Sequence, residues 1–193
     1  AAFIALVLGL LVASIILPRG LTEEQARALG YYRFDTPRAI PAFSLTDHHG
    51  NQVGLDKLQG QPSMLFFGFT TCPDICPTTL SVLAESVKGV AEHPQIIMVS
   101  VDPERDTPEK LSAYVPAFNP DFTGYTGSFD ETVKLATALN IAFGKVPGQT
   151  PGTYTVDHSA NLVLVNQAGQ YTGFVKAPHN AASLRKIYAS LLQ

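Results

Sequence analysis

The chain has 193 residues, 46% of them hydrophobic and 15% charged, enough to form one well-buried domain plus an appendage. Its net charge of −3 and the lack of any basic run argue against a nucleic-acid partner. Only two cysteines are present, so the fold is not a disulfide-stapled scaffold.

Residues 1–17 (AAFIALVLGLLVASIIL) carry no charge. As a helix they would reach about 26 Å at 1.5 Å per residue, just short of the roughly 30 Å of a bilayer's hydrocarbon core. We read residues 1–18 as a single transmembrane anchor that meets membrane lipid through residues 1–17, with the globular domain on the far side. A signal peptide is the alternative, for which Val12-Ala13-Ser14 makes a poor cleavage site. Residues 19–40 mix charges with aromatics and read as a juxtamembrane helix followed by an extended linker. The folded domain is expected over residues 41–193.

Within that domain, Ala42–Leu45 and Gln52–Leu55 flank the turn-rich stretch Thr46–Asn51, the pattern of a β-hairpin. Met64–Phe69 is a continuous apolar run, as in a strand buried on both faces. After the cysteine-bearing segment Gly68–Pro77 (GFTTCPDICP), Thr78–Val90 carries helical spacing, with Leu80, Leu83, Val87 and Val90 on one face and Pro77 suited to the first turn. Ile96–Val101 is a second buried strand. It leads into a helix with Asp106 or Thr107 as N-cap and Pro108 at the first helical position. A short strand at Phe122–Thr126 and a helix at Phe129–Leu139 follow. Lys145–Thr153 is rich in glycine and proline, strands are expected at Ser159–Val165 and Gln170–Val175, and Ala181–Leu192 closes the chain as an amphipathic helix. Alternating strands and helices with a late hairpin imply a mixed sheet covered on both faces. The strand, cysteine loop and helix are arranged as in thioredoxin-like folds. The expected class is therefore α/β, a thioredoxin-like mixed sheet flanked by helices, with an N-terminal β-hairpin insertion and the N-terminal membrane helix.

The chemistry of the chain points to Cys72 and Cys76. A disulfide closing so short a loop removes little unfolded-state entropy, so the pair is not there to staple the fold. Redox chemistry, metal binding or both remain. Pro73 and Pro77 push the cysteines before them toward extended conformations, which predicts a stiff loop. The helix N-terminus beside them favours thiolate over thiol. His48 and His49 fall in the hairpin turn, His93 precedes Pro94 and His179 follows Pro178; all four read as surface residues.

Three segments together carry a resemblance: GFTTCPDICP, then VDPERDT at Val101–Thr107, then YTVDHS at Tyr154–Ser159. In this order and spacing they resemble the Sco/SenC family over nearly the whole soluble domain, and a membrane anchor ahead of it is also typical of that family. The resemblance implies a thioredoxin-like copper-binding protein whose ligands would be Cys72, Cys76 and His158, holding Cu(I) or Cu(II). Soft thiolates with an imidazole suit copper, and zinc is the nearest competitor. Gly148, Pro151 and Gly152 suggest that His158 rides on a mobile loop and swings onto the metal. Asp74, Asp102 and Asp157 are candidates for a supporting shell, and Arg105 for pairing with a nearby acid.

The function implied is a membrane-anchored copper chaperone rather than an enzyme. It would deliver copper to the binuclear copper site of cytochrome c oxidase subunit II, or to that subunit's assembly intermediates. Other copper chaperones or thiol oxidoreductases would be further partners. The setting implied is the periplasmic face of an inner membrane, or the intermembrane space of a mitochondrion. The alternative is a thiol–disulfide oxidoreductase that keeps the oxidase's copper-site cysteines reduced, with Cys72 and Cys76 as its redox-active pair.

Overall fold

The computed structural model describes residues 20–192. No helix among them is long and apolar enough to cross a membrane, and the anchor expected over residues 1–18 lies outside the described residues.

Chain order begins with helix α1 (Glu23–Ala28), strand β1 (Tyr31–Ala39), hairpin strands β2 (Leu45–Asp47) and β3 (Gln52–Val53), and a 3₁₀ turn at Leu55–Leu58. Then come β4 (Ser63–Gly68), α2 (Ile75–Val87), β5 (Gln95–Ser100), α3 (Pro108–Tyr114), β6 (Thr123–Thr126) and α4 (Phe129–Ala138). The chain finishes with β7 (Phe143–Pro147), β8 (Tyr154–His158), β9 (Leu162–Val165), β10 (Gln170–Val175) and α5 (Ala181–Leu191). Eight strands form one mixed sheet in the order β1-β10-β9-β4-β5-β6-β2-β3, while β7 and β8 form a separate two-stranded sheet.

The central strands are those whose sequences are apolar through their interiors, Met64–Phe67 in β4, Ile96–Val99 in β5 and all of β9. All of β4 is buried, between β5 in parallel and β9 in antiparallel register. A strand covered on both faces has no polar side to show, which is why SMLFFG reads as a run rather than an alternation. Helix α2 buries Cys76, Thr79, Leu80, Leu83, Ser86 and Val87, one stripe at helical spacing. It packs against α5, where the Ser86 and Tyr188 hydroxyls lie 2.7 Å apart and the Arg185 Nε donates to the Ser86 carbonyl. Caps set the helix starts: the Thr107, Ser128 and Asn180 side chains each accept the backbone N–H of the residue three positions on, and Pro108 opens α3.

Three expectations need correction. Residues 31–39 are not a linker outside the domain but an edge strand, paired antiparallel with β10, so the folded unit begins before Pro41. Tyr31 is buried, Tyr32 stacks on Phe174 at 5.2 Å and Phe34 meets Tyr171 edge-on at 4.8 Å. The strand escapes notice because most of its residues are exposed and Pro37 sits in a register shift between Arg33 and Arg38, as edge strands allow. Second, the glycine- and proline-rich stretch is the turn of a hairpin, β7 pairing with β8 from Phe143↔His158 to Pro147↔Tyr154. Third, the expected strand at 159–165 forms only over Leu162–Val165.

The hairpin expected near residue 50 does form, with Leu45 opposite Val53. Its turn is organised by Asp47, whose carboxylate accepts the N–H groups of His49 and Asn51, with Gly50 at φ 86°. His48 is not a surface residue. The β2–β6 pairing turns one side of the hairpin inward, and His48 is buried with Nδ1 accepting the Gly124 N–H at 2.9 Å. That bond requires an unprotonated Nδ1. Burial, reinforced by the neighbouring His49, holds the His48 pKa below its ordinary value. Between the unfolded value near 6.5 and the lower folded value the unfolded chain binds more protons, so stability is lost as the pH falls through this window. Burial depresses His158 and His179 in the same direction. Unfolding free energies at pH 7.5 and 5.5 should therefore differ less in His48→Asn, whose amide oxygen can take the Gly124 N–H at both pH values. An unchanged difference would remove His48 from the account.

Candidate metal centre

Strand β4 ends at Gly68 and the chain passes through Phe69–Asp74 into α2. Cys76 is the second residue of that helix, not part of the stiff loop expected from Pro77. Proline at the third helical position lacks an N–H that would be unpaired there anyway, and the first turn tolerates the crowding it places on Cys76. Cys72 lies in the loop and is partly exposed, whereas Cys76 is fully buried; both are free thiols. The Cys72 Sγ accepts the Cys76 N–H at 3.4 Å, one of the amides that helix geometry leaves without an internal partner.

His158, at the end of β8, comes to the same place from 82 residues away, with Nε2 3.5 Å from the Cys76 Sγ. One ligand atom each from Cys72, Cys76 and His158 lies within 4.8 Å of the others, and among the described residues this is the only such group of three or more. The imidazole is fixed by its surroundings. Its ring meets Phe66 and Phe69 edge-on, at centroid distances of 6.1 and 5.9 Å. Its Nδ1 lies 3.2 Å from the Ser159 carbonyl, which can only accept. In the neutral ring Nδ1 therefore carries the proton and the Nε2 lone pair faces the thiols. Burial lowers the His158 pKa, against the raising effects of the Ser159 carbonyl and Asp157, which keeps the ring in its ligand form.

Cys76 departs from the thiolate expectation. A helix N-terminus is present, yet burial pushes the Cys76 thiol far above its ordinary range, outweighing a lowering hydrogen bond from the Phe69 backbone. Without a cation the buried sulfur keeps its proton, and an arriving soft metal ion must displace it. The donor set fits such an ion: two sulfurs and a neutral imidazole nitrogen converge, and small side-chain rotations would bring all three onto one centre.

The other candidates separate. Asp102 is buried and accepts from the Arg105 guanidinium and, at 2.8 Å, from the Tyr154 hydroxyl. Asp74 is exposed at the N-cap of α2 with no side-chain cap bond, and Asp157 is exposed beside His158. Of the remaining histidines His49 is exposed, while His179 is partly buried with Nε2 2.8 Å from the Ala160 carbonyl, in the segment after His158. Sequence reasoning missed Asp106. Its buried carboxylate accepts from the Thr70 N–H and hydroxyl, at 3.0 and 2.6 Å, and from the Ser100 hydroxyl at 2.7 Å. Read as a possible N-cap, it instead ties the cysteine loop to the end of β5.

A family model described as SCO1/SenC matches residues 34–193. The chain belongs to the SCO1/SenC family. A Stutzerimonas stutzeri protein described as copper-binding is 36% identical over 184 residues, covering 93% of this chain and 88% of the relative. Among solved structures, Arabidopsis thaliana ScoI with copper bound superposes with a TM-score of 0.73 at 33% identity, covering 78% of this chain and 96% of that one. Bradyrhizobium japonicum ScoI with copper bound gives 0.72 at 34% identity, covering 80% and 100%. The sheet and helices of this chain are thus the thioredoxin-like fold of the Sco family.

Proposed function

We propose that this SCO1/SenC protein is a copper chaperone, held at a membrane by residues 1–17. It takes up one copper ion on Cys72, Cys76 and His158 and hands it to the binuclear copper site of cytochrome c oxidase subunit II. The observation that carries this reading is the convergence of two thiols and an oriented Nε2 lone pair, all within 4.8 Å. That donor set suits soft copper, and the copper bound in the two ScoI relatives supports the same cargo here. Three protein ligands leave room for an incoming ligand, and Cys72 is reachable at the surface. Release would proceed by ligand exchange: a partner thiolate joins the copper, Cys72 leaves, and Cys76 and His158 follow. The bonds from copper to this chain are exchanged for bonds to the partner, the incoming partner thiols give up protons as the Cys72 and Cys76 sulfurs regain theirs, and no electron moves. The globular domain would face the periplasm, or the intermembrane space in a mitochondrion.

A second reading, thiol–disulfide exchange with the oxidase's cysteines, is favoured by one observation. An accessible Cys72 lies beside a buried Cys76, which suits an attacking thiol and a resolving one. Copper titration of the reduced chain and of His158→Ala, followed by optical absorption and electron paramagnetic resonance, separates the two. We expect one Cu(II) with intense thiolate-to-copper charge transfer in the parent, and loss or a sharp change of that spectrum in His158→Ala. Copper binding that ignores His158, together with rapid disulfide exchange, would favour the oxidoreductase.

A further inference from the structure

Strands β7 and β8 carry His158 yet make no backbone pairing with the main sheet. Of their side chains only Val156 is fully buried; Phe143 and Tyr154 are partly buried against the core, Phe143 edge-on to Phe129 at 6.0 Å, so apolar packing on the hairpin is limited to these few side chains. What meets it at its far end is the segment following β5. The Arg105 Nε donates to the Asp102 carboxylate, Nη1 donates to the Tyr154 carbonyl at 3.1 Å, and the guanidinium lies 4.0 Å over the Tyr154 ring. The Tyr154 hydroxyl closes the ring of contacts by donating to the other Asp102 oxygen at 2.8 Å. Lys145 of β7 pairs with Glu104 at 2.6 Å, an exposed contact of little weight by comparison. At the near end, the His158 ring rests on Phe66 and Phe69, and Arg105 lies 5.8 Å from the Phe69 ring.

We infer that Arg105, Asp102 and Tyr154 form a polar latch that docks the β7–β8 hairpin and thereby holds His158 in position for the metal. This rests on the copper reading above. Tyr154 is four residues from His158 on one strand, roughly 13 Å at the rise of a β-strand, so the latch acts through the strand and touches no ligand atom. A planar fork suits the task because one side chain binds the carboxylate and a strand carbonyl at once while stacking on the ring, which lysine cannot reproduce. Asp102 is the pivot. Its two oxygens serve the two partners, and it is fixed at the end of β5, where its own N–H donates to the Ser100 hydroxyl at 3.0 Å.

The test compares the full chain in detergent with Arg105→Met and Tyr154→Phe, using two readouts. Amide hydrogen exchange should accelerate about tenfold or more over residues 143–158 in Arg105→Met while β4 and β5 stay protected. Cu(II) affinity should fall about tenfold or more, with the imidazole nitrogen hyperfine pattern weakened or heterogeneous, as expected when the support of a ligand is removed. Tyr154→Phe, which loses only the hydroxyl, should move both readouts in the same direction by less. Arg105→Met with parental exchange over 143–158 and a parental copper spectrum would overturn the latch and leave the copper reading standing. If the parent itself shows no His158-dependent copper, the copper reading fails and the exchange comparison alone decides whether Arg105 docks the hairpin. Should Arg105→Met also deprotect β4 and β5, Tyr154→Phe decides on the same two readouts: faster exchange confined to 143–158 with an altered copper signal supports the latch, and parental values reject it.

Discussion

Asp106→Ala should lower the unfolding free energy by about 3 kcal/mol, because it strands one buried and two partly buried donors whose acceptor was a buried carboxylate. The Thr70 N–H, the Thr70 hydroxyl and the Ser100 hydroxyl all point at Asp106. The hydroxyls can turn to other partners, but a backbone N–H cannot. A carboxylate is also a stronger acceptor than a neutral group, so each lost bond weighs more than an ordinary one. Against a total stability of roughly 5–15 kcal/mol for a domain, this is a large fraction. Since Thr70 opens the cysteine loop, the same change should weaken copper uptake. Asp106→Asn keeps one acceptor oxygen and should cost distinctly less. Denaturant unfolding of the three proteins checks the order, and an alanine variant as stable as its parent would show that Asp106 does not hold the loop.

Gly68→Ala should damage stability and the metal centre together. The obstacle is space: a Cβ at residue 68 would sit 2.7 Å from Phe66 Cε1 and 3.0 Å from the Cys76 Sγ. Phe66 is fully buried and packs edge-on against the His158 ring, so it has nowhere to retreat without moving that imidazole. One added methyl thus presses on the Cys76 sulfur directly and on the imidazole through Phe66. Overpacking of this kind costs about 1–3 kcal/mol. Copper spectra should broaden or shift even under conditions where Gly68→Ala is fully folded. Unaltered spectra and an unfolding midpoint equal to the parent's would mean that the backbone yields at β4's end and the site tolerates it.

These two positions also mark how far the sequence reaches. The candidate ligands were legible: Cys72 and Cys76 from their isolation in one segment, and His158 through the resemblance of YTVDHS to the Sco/SenC pattern. Strands β4 and β5 and helix α2 were legible because burial on two faces, or on one helical stripe, forces a periodicity that composition cannot hide. Strand β1 was not, because an edge strand needs little apolar content and Pro37 argues against pairing. The β7–β8 hairpin was missed for the same reason, since four of its five β7 positions are exposed.

By itself, then, the sequence determined the class of fold and singled out the cysteine pair and its soft-metal chemistry from residue type and local order, while the family and the candidacy of His158 came from the resemblance of three motifs. Tertiary structure alone decided which groups support them. Asp106 reaches Thr70 across 36 residues and Tyr154 reaches Asp102 across 52. Tertiary packing also decided the protonation of Cys76: a helix N-terminus is visible in sequence, but the burial that overrides it is a property of what packs around the sulfur. Side-chain chemistry is local and survives in the one-dimensional chain, whereas desolvation and long-range hydrogen bonds exist only once the chain has closed on itself.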